Sequence, residues 1–172
     1  MKTNKEVLSS ILKTVQMGQI GIRSVQDAAI KTDLKAALDS QLREYDQIET
    51  QAHKIAAERG WKLHELNPAI RSMSETMSRM KLMGGNTDSK IAGMMIQGNT
   101  RGMILSLKNM RRCDQPDQQV AQLAQKLLVF LGRILHSLAV FESYGEILDK
   151  LRFVRKRHCR HNLTLGFALH GG

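Results

Sequence analysis

The chain is poor in the residues that interrupt helices and in those that build sheets. Two prolines in 172 residues leave long stretches without a helix breaker. Aromatics are as scarce, one Trp, two Tyr and four Phe. With Leu, Met, Ala, Gln and Lys dominant, this favours an all-helical chain over a sheet protein. The two cysteines, Cys113 and Cys159, form neither a CxxC nor a disulfide framework. Residues 1–16 lack a continuous apolar core and a small-residue cleavage site, so no signal peptide is expected. No run approaches the roughly 20 apolar residues of a membrane span. The expectation is one cytoplasmic domain with no membrane span, large enough for a real core. There is no nucleophile–base pair, phosphate loop or cofactor fingerprint, so neither an enzyme nor a bound cofactor is predicted.

Acidic residues are missing from the end of the chain. Six of the 26 basic residues and none of the 16 acidic ones lie after position 149, leaving 20 basic against 16 acidic groups before it. The whole chain is +10 and its first 149 residues only +4. The division expected is a helical body over 1–145 and a basic tail over 146–172, disordered or a non-native extension. Any contact with nucleic acid or an anionic surface then rests on Lys150, Arg152, Arg155, Lys156, Arg157 and Arg160.

The apolar residues that are present recur at helical spacing. Leu8, Ile11, Leu12, Val15, Gln19 and Ile22 mark one face of a first helix, with Asn4 as its expected cap. Leu34, Leu38, Gln41, Tyr45, Ile48, Ala52, Ile55 and Arg59 step by four and three, the seam of a second helix capped by Thr32 or Asp33. It ends at Gly60, and the short turn makes the two antiparallel neighbours. Asn67 followed by Pro68 starts a further helix that runs to about Met83, with Ile70, Met73, Met77, Met80 and Met83 on its apolar face. Thr87 caps the next helix, to about Met110, and residues 114–116 start a last one that reaches at least Phe141. The connection over 60–86 carries a helix of about 16 residues, about 24 Å long at 1.5 Å per residue. That is enough to cross a bundle from end to end.

Residues 17–22, MGQIGI, with 42–48, LREYDQI, resemble the first helical pair of a family of small bacterial ferritin-like proteins with no settled activity. Residues 90–92, KIA, and 95–100, MIQGNT, resemble its third helix, and the likeness extends over about 5–128. It implies an all-α, ferritin-like four-helix bundle with a long connection between the second and third helices carrying a short extra helix.

Di-iron members of that fold need a Glu from each of two helices and Glu-x-x-His from each of the others. No Asp or Glu here is followed by His three residues on, and the nearest match, at Glu44, ends in Gln47. The weak metal candidates are Glu44, Glu49 and His53, and the last two also suit a surface pair. In place of carboxylates, Gln19, Gln41 and Gln97 are expected to hydrogen-bond across the interior, or to reach solvent at its boundary. Gly98 and Gly102 are expected where two helices pack closely, since each costs about 1 kcal/mol relative to Ala in a helix. Residues 127–141, LLVFLGRILHSLAVF, are apolar on every side, which implies a dimer interface, a cover by the tail, or a sequence fault. The leading expectation is a non-catalytic bundle acting through self-association, most simply a dimer, or through a helical protein partner. The alternatives are a metal or redox protein with a non-standard site, and polyanion binding by the tail.

Overall fold

A computed structural model describes residues 1–67, 87–113 and 115–141. Among these residues the chain is all-helical, with no strand. Helix α1 spans Asn4–Arg23, α2 Thr32–Glu58, α3 Thr87–Arg111 and α4 Gln118–Phe141, and a 3-10 turn, Gln26–Ala28, lies between the first two. The helix expected over about 68–83 and the tail lie outside the described residues, as do Lys150, Arg152, Arg155, Lys156, Arg157 and Arg160.

The helix ends follow local chemistry. Thr3, not Asn4, caps α1: its hydroxyl accepts from the Glu6 N–H while the Glu6 carboxylate accepts from the Thr3 N–H at 2.8 Å. Asn4 instead braces the far chain, accepting from the Asp117 N–H at 2.8 Å and donating to the Gln115 carbonyl. Neither Thr32 nor Asp33 caps α2; the cap position is Lys31, with no side-chain hydrogen bond. Gly60 ends α2 at φ +63°, with its N–H on the Ala57 carbonyl and the Trp61 N–H on the Ala56 carbonyl. That pair of bonds is a Schellman closure, and it needs the left-handed residue that glycine supplies. Asp117 caps α4 through Oδ1, which accepts from the Gln119 and Val120 N–H groups.

Contacts between helix ends fix directions. At one end the Lys2 N–H meets the Arg112 carbonyl, and Arg59 pairs with Asp117 at 2.6 Å. At the other, Asp88 accepts from the backbone N–H groups of Ile30 and Lys31. Helix α1 is therefore antiparallel to α2 and α3, and α4 is antiparallel to α2. Helices α2 and α3 run the same way, so Glu58 and Thr87 lie at opposite ends of the bundle. Residues 61–67 already climb beside α1, where the His64 N–H reaches Ser9 Oγ and the Leu66 N–H reaches Gln16 Oε1.

The core is continuous across the four helices, with Leu8, Leu12, Leu38, Ile48, Ile91, Leu127 and Leu131 all fully enclosed. At its centre Tyr45 of α2 meets Phe130 of α4 edge-on, ring centroids 4.8 Å apart. Helix α4 is not buried all round. Val120, Leu123, Leu127, Phe130, Ile134 and Leu138 form one inward stripe, and Val129 and Val140 remain exposed. By length and composition it is long and apolar enough to cross a membrane, the one such helix among the described residues. A core helix passes the same test, so this feature speaks neither for nor against the expected absence of a membrane span.

Candidate functional site

The α1–α2 interface places amides against carboxylates. Gln19 Nε2 donates to Asp46 Oδ1 at 2.8 Å and to Glu49 Oε2 at 2.6 Å, and Gln16 Nε2 donates to Glu49 Oε1 at 3.1 Å. Both glutamines are buried. Glu49 thus has an amide donor on each oxygen, and His53 Nε2 stands 3.9 Å from Oε1 one turn on. Glu44 lies apart from them, its two oxygens taken by Arg133 of α4 at 2.9 and 2.8 Å. The three residues singled out as metal candidates are therefore not brought together, and no group of three or more His, Cys, Asp or Glu suited to a metal ion exists among the described residues.

The second polar feature lies between α1 and α3. Tyr45 reaches under α1, its ring filling the place where a Cβ on Gly18 would stand, 2.3 Å from the nearest ring carbon. Its O–H donates to Asn99 Oδ1 of α3 at 2.8 Å. Burial pushes the Tyr45 phenol well above its usual range, so it remains a donor at any ordinary pH. Asn99 is itself 3% exposed, and its Nδ2 has no acceptor. A buried donor left unmatched costs about 1–3 kcal/mol.

Above this pair lies a groove of about 460 Å³. Gly18 and Gly21 of α1 and Gly98 and Gly102 of α3 are among the residues that line it. Met17, Met94, Met95, Val25, Leu105 and Leu131 make it apolar, Leu66 lies at one edge, and the exposed Lys13 and Arg101 lie at its rim. The α1–α3 register is readable from the glycines. A Cβ on Gly102 would sit 2.9 Å from Thr14 Cγ2, and one on Gly21 would sit 3.9 Å from Met95 Sδ.

No family model, curated protein or solved structure matches this chain.

The expected interior amides divide. Gln19 and Gln41 are buried, whereas Gln97 is exposed. Asn99, two residues on, holds the inward position that Gln97 was expected to take. The reason is geometric: Ile91, Ala92, Met95, Asn99, Ser106 and Asn109 are the buried residues of α3, and position 97 is two residues, about 200° of helix, from both 95 and 99. Gln41 Oε1 is buried without a partner, so it makes no crossing bond through that oxygen. The two glycines divide as well. Gly102 meets Thr14 as close packing requires, but a Cβ on Gly98 would have nothing within 4 Å. Gly98 is an opening in the groove wall and not a helix contact. Asn99 and the paired glycines of α1 were missed as a site. The signal was present in the steps of four, four, three, four and three from Ile91 through Met95, Asn99, Gly102 and Ser106 to Asn109.

Chemically, the groove offers an apolar bed with two cations at its mouth.

Proposed function

We propose that this chain is a non-catalytic ferritin-like bundle that works by binding, and that the groove between α1 and α3 is where it binds. The ferritin-like reading is supported by the parallel run of α2 and α3, which requires one long connection between them. The binding reading is carried by one observation: an apolar groove of about 460 Å³, a size that accepts a small molecule, lies between α1 and α3 with the exposed Lys13 and Arg101 at its rim.

Gly98→Leu tests it. The new side chain enters open space, so the fold is retained while the groove is filled. Fluorescence of anilinonaphthalene sulfonate, an apolar anion, is expected to rise on adding wild-type protein and to fall at least tenfold in the variant. Equal binding by both contradicts the assignment.

A metal or redox role has a narrower basis, the Glu49–His53 pair. Both Glu49 oxygens already accept from glutamine amides, and an amide cannot balance the charge of iron or manganese. Near-stoichiometric iron or manganese in purified protein overturns our preference. Self-association draws support from the exposed Val129 and Val140 of α4, and a monomer by light scattering contradicts it.

A further inference from the structure

We infer that the outer face of the last turns of α3 docks on an anionic lipid surface. Ile104, Leu105 and Leu107 stand 61, 46 and 40% exposed. They are three of the eight large apolar side chains left exposed among the described residues, and they fall within four consecutive positions. Scattered single exposures need no explanation, but a cluster does. Lys108, Arg111 and Arg112 follow directly, all exposed and none in an ion pair with a described residue. At 3.6 residues per turn, the six side chains share about 160° of the helix circumference. They lie opposite the buried Asn99, Ser106 and Asn109. Ile104 and Leu105 each stand one turn from Lys108, and Leu107 one turn from Arg111, so apolar tips and cations are interleaved.

The face carries charge of one sign. No Asp or Glu occurs between Asp88 and Asp114. Lys2 lines a hollow with Arg111 and Arg112, and Glu6 in that hollow is bonded back to Thr3. Cations in a last turn suit the helix dipole, which explains the charge but not the three aliphatic neighbours. An anionic bilayer uses both: the aliphatic tips enter the boundary below the headgroups, and the cations meet the lipid charge. A nucleic acid uses only the cations, since Ile and Leu offer neither a hydrogen bond to a base edge nor a ring to stack on one. Protein interfaces favour aromatic anchors over leucine, and this face has no aromatic residue. Of the six residues only Leu105 also lines the groove between α1 and α3, so the inference stands apart from the groove reading.

Sedimentation of the full chain with vesicles tests this, the basic tail being present throughout. Wild type is expected to bind phosphatidylcholine vesicles containing phosphatidylserine at least tenfold more tightly than phosphatidylcholine alone, and less tightly as salt is raised. Ile104→Ser with Leu107→Ser leaves every charge in place and is expected to weaken that binding at least tenfold. Lys108→Gln with Arg111→Gln and Arg112→Gln is expected to do the same. All five positions are exposed, so both variants are expected to keep the helical ellipticity of wild type. Ile104→Trp keeps the face apolar, and its added emission is expected to shift to the blue on the anionic vesicles. Absence of wild-type binding to anionic vesicles, a loss in only one of the two variants, or an unshifted Trp emission overturns the inference. Binding of single-stranded RNA in place of vesicles, lost in the glutamine variant and kept in the serine variant, overturns it in favour of a nucleic acid.

Discussion

Single glycines in this chain have opposite jobs, and substitution separates them. Gly18 makes room for the Tyr45 ring. Gly18→Ala is expected to destabilise the fold by about 1–3 kcal/mol, the usual range for overpacking a filled core, read by chemical denaturation. Gly98 has open space beside it on a helix, so Gly98→Ala is expected to stabilise by about 1 kcal/mol, the helix-propensity difference. Tyr45 adds a pH dependence. Its folded-state pKa is raised by burial, so the stabilisation it brings is complete below the ordinary tyrosine value of 10.0 and is lost as pH climbs beyond it. Alkaline melts are expected to show this decline, and Tyr45→Phe to flatten it. Much at this scale escaped the sequence. Gln97 and Asn99 are both amides on a helix with Met94, Met95, Ile96, Met103, Ile104 and Leu105 around its circumference. Such a helix has little contrast between faces, so its spacing leaves open which amide turns inward and which reaches solvent.

At the scale of the element, the ends and seams were the legible part. The second helix shows its buried seam from Leu34 to Ile55 in the spacing of apolar residues, and Gly60 closes it as its position predicts. A four–three repeat is strong because every step is confirmed by the next. Caps were less legible, because several polar residues compete at each helix start. Thr3 wins over Asn4 because Glu6 stands three residues on and returns the bond. Thr3→Ala is expected to cost about 1 kcal/mol, the usual value of such a cap. Glu6 is held below its ordinary pKa of 4.5 by the Thr3 N–H first and its hydroxyl second. Its contribution is therefore present above that pH and is lost as pH falls through the lower folded-state value. Amide exchange at Glu6 and Val7 is expected to quicken over that acidic range, while exchange in the middle of α2 does not.

At the scale of the molecule, the polar groups are arranged by interface. The α1–α2 contact holds its amides by carboxylates, and the α2–α4 contact has Arg133 on Glu44 and Lys126 on Gln51. The α1–α3 contact is the exception: it is built on glycines, and it leaves a groove and a donor without an acceptor. The direction of the helices was legible from the length of the connection after Gly60, because only a long link joins two consecutive helices that run the same way. Spin labels at Glu58 and Ser89 test that topology. They are expected about 30–40 Å apart, the length of a helix of this size, and a separation of one helix diameter, about 10 Å, contradicts it. The groove was not legible, because its lining comes from glycines and apolar residues of two helices distant in sequence. The most direct test of the groove is the backbone amide resonance of Gly102 during titration with anilinonaphthalene sulfonate. It is expected to shift saturably in the wild-type protein and to stay fixed in Gly98→Leu. A Gly102 resonance that does not move in wild type at saturating dye contradicts the account.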